Sequence, residues 1–256
     1  MTTDLFGLLT RIRVSGAGMD LQRAAKEQHL FPLVGLVIGL IAAVAAILLN
    51  GFLGEDKAIV SGAVLLIVLY LVTGILHTEG LADFADGTMA SGTKERKREV
   101  MKDAHSGAAA IITVNLYLLL LFVLAVEVCS RARDTTAIFP LPWGVMFALG
   151  FVLSEMAGKV AMNVAMYLGP SSHPGMGSLF VGEAKPDRLL ISFAIAGVAA
   201  FLIAGYLFFI VYLGAVAGLV VTMLARRNFG GVSGDAFGAA NEIGRLLTLL
   251  AWVLVF

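Results

Sequence analysis

The longest uncharged stretch of this sequence runs from Leu189 to Ala225, and its 37 consecutive residues carry no charged side chain. One α-helix of that length would extend about 55 Å, whereas the hydrocarbon core of a bilayer is about 30 Å thick. We therefore predict two membrane-spanning helices in this stretch, with a turn near Tyr212-Leu213-Gly214 or slightly before it.

Apolar runs dominate the rest of the chain as well. Of its 256 residues, 59% are hydrophobic, against about 45–50% in soluble domains. Five further spans are expected at about 31–52, 58–76, 108–128, 141–168 and from the polar residues near 242 to the end of the chain. Such long runs do not fit a β-barrel, whose strands alternate in short segments. The predicted fold is all-α: a polytopic transmembrane helical bundle of about seven spans. It forms a single integral membrane domain (1–256) with cytoplasmic surface helices and loops, and residues 1–30 form an amphipathic interfacial segment.

The distribution of basic residues supports this count. With seven spans and the N-terminus inside, thirteen Lys and Arg fall in cytoplasmic segments, whereas Lys57, Arg131 and Arg133 lie outside. The other two, Lys159 and Arg245, fall within spans. We expect a multi-pass protein of the cell membrane, in contact with the lipid bilayer. Its cytoplasmic face would gather the polar stretches 77–107, 169–188 and 226–242.

An acidic stripe lies in the first of these stretches. Glu79, Asp83 and Asp86 are spaced i, i+4, i+7, which places three carboxylates on one face of a helix. The sequence has no lysine or arginine between Lys57 and Lys94 to neutralise them. A solvated helix face would explain the pattern, but so would a site for a hard divalent cation such as Mg²⁺.

A glycine-rich stretch precedes the last span. Gly230, Gly231, Gly234 and Gly238 surround Asp235. Backbone N–H groups before a helix can bind phosphate, although membrane helices also use glycine for close packing. Together with the acidic stripe on the same face, this stretch predicts one site for a metal–phosphate ligand. A purely structural alternative is that Asp235 caps the last helix.

Two further groups of polar residues are candidates for function. Asp103 and His105 lie where the chain returns to the membrane, and the pair is suited to orient or deprotonate a substrate hydroxyl. In the fourth span Glu155, Lys159 and Asn163 share a helix face. They form either a self-neutralising Glu–Lys pair or a surface that faces a ligand.

Several motifs, in the same order, resemble the cobalamin synthase family, the membrane-bound adenosylcobinamide-GDP ribazoletransferases. They are HTEGLADFADG at 77–87, MKD at 101–103 and GGVSGDAFGA at 230–239, and the segments LTRI at 9–12 and FPLVG at 31–35 also look similar. The family pattern DGLADxxDG has Glu79 in place of its first aspartate here. Its KDSRxG becomes KDAHSG, so that His105 stands where the family has arginine.

The resemblance implies a Mg²⁺-dependent transferase of cobalamin biosynthesis. α-Ribazole or its 5′-phosphate would attack the phosphate joined to cobinamide in adenosylcobinamide-GDP, and GMP would leave. The implied catalytic residues are Asp103, His105 and Asp86. The implied metal ligands are Glu79, Asp83, Asp86 and Asp235. The implied substrate-binding residues are His77, Lys102, Gly231, Ser233 and Gly234. No nucleic-acid partner is expected, and a homo-oligomer is one of the states that the sequence allows.

Two other functions fit parts of the sequence. A CDP-alcohol phosphotransferase also uses glycine-flanked aspartates at a membrane surface, but its DGxxAR motif requires arginine where this chain has Asp83. A transporter would place Glu155, Lys159 and Asn163 along a path at the membrane midplane. It would leave the cytoplasmic carboxylates without a role.

Overall fold

A computed structural model describes residues 3–12, 19–132, 137–138 and 141–255. Almost all of them are helical, which confirms the predicted fold class. The helices, in chain order, are α1 Thr3–Leu9, α2 Leu21–Lys26, α3 Phe31–Leu53, α4 Ala58–Thr73, α5 Leu76–Met89, α6 Lys94–Met101, α7 Ala108–Arg131, α8 Trp143–Ala148, α9 Gly150–Leu168, α10 Met176–Glu183, α11 Pro186–Ala204, α12 Leu213–Phe229 and α13 Gly234–Val255. Short 3₁₀ segments cover Gln28–Leu30, Glu55–Lys57 and Gly205–Tyr212. Two-residue strands, β1 Ala137–Ile138 and β2 Leu141–Pro142, pair antiparallel.

Six helical segments of the described chain are long and apolar enough to cross a membrane. They are Gln28–Leu53, Glu55–Thr73, Ala108–Arg131, Trp143–Leu168, Pro186–Phe229 and Gly234–Val255. The predicted spans coincide with them, apart from the fifth segment, which has 44 residues and contains both α11 and α12. Arg13 and Arg133, which entered the count of basic residues, lie outside the described residues.

The fifth segment folds back on itself. Gly205 has φ +55°, in the left-handed region that glycine occupies readily. After it the 3₁₀ segment returns along α11, where the Tyr212 hydroxyl donates to the Phe193 carbonyl at 3.0 Å. Two helices therefore occupy the uncharged run, as predicted, and the turn at Gly205 lies before 212–214. Gly214 instead packs against α9, because a Cβ there would collide with the Ala157 carbonyl oxygen.

Helix α9 lies at the centre of the bundle. Its residues are buried from Gly150 to Met166, and α3, α11, α12 and α13 pack around it. A central helix of this kind has no lipid-facing side, so any charged residue on it must find a partner inside the protein. The amphipathic start of the chain also contacts this core, since Leu5 and Leu9 of α1 are buried.

Candidate active site

Helix α5 carries the acidic stripe at one end of the bundle, and it is not among the membrane-length segments. The predicted helical spacing is confirmed. Glu79 is exposed, and Asp83 and Asp86 are half-buried. The three carboxylates share a helix face, and Asp86 accepts hydrogen bonds from another helix.

Asp86 connects α5 to the start of α7. Its two carboxylate oxygens accept hydrogen bonds from the backbone N–H groups of Gly107 at 2.6 Å and Ala110 at 2.8 Å. A side chain at Gly107 would be excluded, because its Cβ would lie 2.6 Å from Asp86 Oδ1. Asp86 therefore caps α7. This structural role was missed in the sequence, where the residue was predicted as a catalytic group and metal ligand.

Helices α5 and α13 cross at two glycines. A Cβ at Gly238 would lie 2.8 Å from the His77 carbonyl oxygen, and one at Gly80 would lie 3.0 Å from the Asp235 Cα. Only residues without side chains allow the two backbones to approach so closely. The crossing brings the start of α13, with Asp235, against the acidic face of α5.

Asp83 lies within a cluster of carboxylates. Burial, followed by the charges of Asp235, Glu79 and Asp86, raises the pKa of Asp83 to about 6. The charges that raise this pKa belong to three other carboxylates. In the described part of the chain, no three His, Cys, Asp or Glu side chains already converge as a metal site. The carboxylates are close enough to repel one another, but among the described residues they do not form a complete set of metal ligands.

The cap of α13 is Ser233. Its hydroxyl oxygen accepts from the Ala236 backbone N–H at 3.4 Å, and the hydroxyl donates to Asp235 Oδ2 at 3.2 Å. Asp235 lies two residues further along the chain, is half-buried, and is not the capping residue. The structural alternative considered for Asp235 thus belongs to its neighbour.

Gly231 has a packing role, and the prediction that it binds substrate stays a prediction. A Cβ there would collide with the Pro170 carbonyl oxygen. The neighbouring Val232 N–H donates to the same carbonyl at 2.8 Å, and the Ser172 N–H donates to the Val232 carbonyl at 2.9 Å. The glycine therefore lets the loop before α10 lie against the loop before α13. Gly234, by contrast, is exposed and has open space where a side chain would be.

Asp103 and His105 form the predicted pair. The ring Nδ1 of His105 lies 2.8 Å from Asp103 Oδ1, and the His105 backbone N–H donates to the same oxygen at 2.9 Å. These hydrogen bonds hold the pKa of Asp103 below its usual value. The imidazole is almost fully exposed, so its second nitrogen is available to a ligand.

A groove of about 850 Å³, which we call the acidic groove, lies between α5, the loop 102–106 and α7. Glu79, Asp83, Lys102 and Asp103 line its polar end. Apolar side chains of α7, among them Ile111, line the remainder. A second groove of about 710 Å³ shares the lining residues Tyr70, Ile75, Asn115 and Leu118 and continues between α4 and α7. The site thus joins carboxylates and a lysine to an extended apolar surface.

A buried network behind the groove was not predicted. Arg245 of α13 forms an ion pair with Glu155, with 2.6 Å between Nε and Oε1, and its guanidinium donates hydrogen bonds to Glu155 at 3.2 Å and to Glu242 at 2.8 Å. It also donates to the Tyr117 hydroxyl at 3.0 Å, and this hydroxyl in turn bonds Glu242. The guanidinium fork can bind two carboxylates at once.

The network rules out the Glu155–Lys159 pair that the helical spacing suggested. Lys159 donates instead to Asn241 Oδ1 at 2.6 Å, and Asn163 donates to Ser192 at 2.8 Å. Glu155 and Lys159 are fully buried. Because they are held by α13, they act as bundle contacts. The i, i+3 spacing of Glu242 and Arg245 was the available sequence signal.

Comparison with known proteins agrees with the motifs. A family model described as cobalamin-5-phosphate synthase matches residues 2–253. Among curated relatives, an adenosylcobinamide-GDP ribazoletransferase of Methanocella arvoryzae is 34% identical, over 94% of this chain and 90% of its own. One from Thermococcus kodakarensis is 33% identical, over 99% of this chain and 98% of its own. No solved structure matches the chain. With the ordered motifs and a match over nearly its whole length, the chain belongs to the cobalamin-5-phosphate synthase family.

Proposed function

We propose that this protein transfers the cobinamide-phosphate group of adenosylcobinamide-GDP to α-ribazole or its 5′-phosphate, releasing GMP. The product is adenosylcobalamin or its 5′-phosphate. The observation that carries the proposal is the crossing at Gly80 and Gly238, which sets Asp235 beside Asp83 next to a groove of about 850 Å³. The reaction is taken from the names of the relatives, and the groove is large enough to be where we propose that it occurs.

In this reaction the acceptor hydroxyl oxygen forms a bond to phosphorus, and the bond from that phosphorus to the bridging oxygen of GMP breaks. The hydroxyl proton needs an acceptor. Asp103 holds the His105 ring through Nδ1 and leaves Nε2 free to take the proton, as in general-base catalysis. GMP leaves with the electron pair of the broken bond. Lys102, which lines the acidic groove, contributes positive charge near the diphosphate.

The residues of the site fit a Mg²⁺ ion. Mg²⁺ is usually held by one or two carboxylates together with substrate phosphates and water. Asp83 and Asp235, with Glu79 at the exposed edge, would hold it, since a cation would relieve the repulsion of Asp83 by the other carboxylates. When bound, the ion would neutralise charge that develops on the diphosphate oxygens.

We place this site on the cytoplasmic face of the cell membrane. The support is the bias of basic residues, of which α6 alone carries Lys94, Arg96, Lys97 and Arg98. A corrinoid is amphiphilic, and a groove that passes from carboxylates into an apolar channel between α4 and α7 suits such a donor.

The test is GMP release by the purified protein in detergent. We expect release from adenosylcobinamide-GDP only when α-ribazole (or its phosphate) and Mg²⁺ are both present, with stoichiometric formation of the corrinoid product. A folded protein that releases no GMP under these conditions would refute the proposed reaction.

A further inference from the structure

A second cavity lies at the same end of the bundle, between the starts of α5 and α13 and the helices α1, α9 and α10. We call it the methionine cavity. Its volume is about 110 Å³, and its wall is mostly apolar. The side chains that matter here are Met162, Met166, Met176, Phe31, Phe180 and Phe237.

Two polar side chains interrupt this apolar wall. They are His77 and Asp235. The His77 side chain is buried, and its ring has no hydrogen-bond partner among the residues that the structure describes. The nitrogen atoms of an imidazole ring donate and accept hydrogen bonds, and leaving them unpaired in the interior is costly.

The wall chemistry matches a flat aromatic ring. Methionine sulfur makes favourable contacts with aromatic rings and adapts to their shape. Phenylalanine rings add stacked or edge-to-face contacts. A charged or strongly polar ligand would lose its hydration in such a cavity with only one imidazole and one carboxylate to replace it.

Asp235 links the methionine cavity to the carboxylate cluster. It lines the cavity, and its Cα lies 3.0 Å from where a Cβ on Gly80 would be, three residues before Asp83 on α5. A ligand whose ring fills the cavity would therefore carry its other end toward the place where the phosphates are expected. A nucleoside has this construction, with an aromatic base at one end and a hydroxyl group that can attack phosphorus at the other.

We propose that the methionine cavity binds the base of the acceptor nucleoside and selects an apolar aromatic base over a purine. This inference rests on the proposed function and adds the position at which the acceptor nucleoside binds. The base contacts the methionines, His77 forms a hydrogen bond with its ring nitrogen, and the ribose lies toward Asp235. A purine with an exocyclic amine would bury polar N–H groups that the apolar wall cannot pair.

The first test fills the mouth of the cavity. Met176 is 46% exposed, so Met176→Trp can be accommodated without disturbing the core. We expect the KM for α-ribazole to rise at least about tenfold, with the KM for adenosylcobinamide-GDP unchanged. The matched control is Leu179→Trp, on the same helix and also partly exposed but outside the cavity, and it should leave both values near wild type. An unchanged KM for α-ribazole in folded Met176→Trp would overturn the proposal.

The second test enlarges the cavity and covers the case in which Met176→Trp does not fold. Met162→Ala removes side-chain volume from the wall. We expect the ratio of kcat/KM for a naphthimidazole riboside to that for α-ribazole to increase at least about tenfold. The cavity would be merely a packing gap if this ratio did not change. GMP release by the wild type with α-ribazole is measured in parallel, so failure of the proposed reaction itself is distinguished from failure of the cavity assignment.

Discussion

At the scale of single residues, the three acids of α5 have separated into two roles. Asp83 lies among carboxylates, whereas Asp86 accepts two backbone N–H groups at the start of α7. Their shared helix face was readable from the spacing i, i+4, i+7. The difference between the roles of Asp83 and Asp86 could not be predicted from the sequence, because it depends on Gly107 and Ala110, which lie more than twenty residues further along the chain.

Asp86→Asn tests the capping role. Asparagine has one side-chain oxygen, so it can accept from only one of the two N–H groups in the same way. We expect a loss of about 0.5–2 kcal/mol of stability, seen as a lower midpoint of thermal unfolding in detergent. The Mg²⁺ concentration for half-maximal activity should not change. A strongly raised Mg²⁺ requirement would instead show that Asp86 is a metal ligand, as the family resemblance implies.

Arg245 is the residue on which the buried network depends. Arg245→Leu would leave Glu155 and Glu242 without their cation, which for a buried pair costs roughly 3–5 kcal/mol. We expect poor folding yield and a strongly lowered unfolding midpoint. Arg227→Leu, at an exposed position near the end of α12, serves as the control and should behave like wild type. Equal stability of the two variants would contradict the network.

At the scale of helices, the crossing of α5 and α13 sets the geometry of the site. Glycine-rich sequence around Asp235 indicated a special backbone, and phosphate binding and helix packing were both consistent with it. The structure shows packing at Gly238 and Gly231. Sequence alone did not reveal this packing, since both roles need a missing side chain and differ only in what lies opposite.

Gly238→Ala tests the crossing. The added methyl group would lie 2.8 Å from the His77 carbonyl oxygen, so the helices must separate, at a cost of about 1–3 kcal/mol. We expect reduced GMP release together with a lower unfolding midpoint. Gly51→Ala, in a helix position with nothing within 4 Å of the new Cβ, is the matched control. Wild-type activity and stability in Gly238→Ala would show that the close approach is unnecessary.

The uncharged run illustrates what helix length can and cannot predict. Thirty-seven residues are too long for one span, so the presence of two helices followed from the sequence. The turn did not, because neither Gly205 nor Gly214 is distinguished by its neighbours. Only the packing of Gly214 against Ala157 and the left-handed φ of Gly205 separate their roles.

At the scale of the whole molecule, the helical bundle followed from composition and from the spacing of the apolar runs. The partners of its buried charged residues could not be predicted in this way. Glu155 and Lys159 share a helix face, but α9 is enclosed by other helices, and partners on α13 replaced the local pair. Contacts between distant segments decide such choices, and a single sequence does not reveal them.

The orientation of the bundle is tested by labelling Ser91→Cys. Ser91 is exposed, just after α5. The chain's single cysteine, Cys129, is buried, so background labelling by a membrane-impermeant maleimide should be low. With the N-terminus inside, intact cells should show no labelling of Ser91→Cys, and inverted vesicles should label it fully. Labelling in intact cells would place the acidic groove outside.

We propose that carboxylates from α5 and α13 act together in one metal–phosphate site. The decisive experiment titrates Mg²⁺ while measuring GMP release from adenosylcobinamide-GDP by wild type, Asp83→Asn and Asp235→Asn. Both variants should stay folded, lose activity by about two orders of magnitude or more, and require more Mg²⁺ for half-maximal release. Wild-type release by Asp235→Asn at limiting Mg²⁺, beside a defective Asp83→Asn, would contradict the claim and leave α13 with a structural role alone.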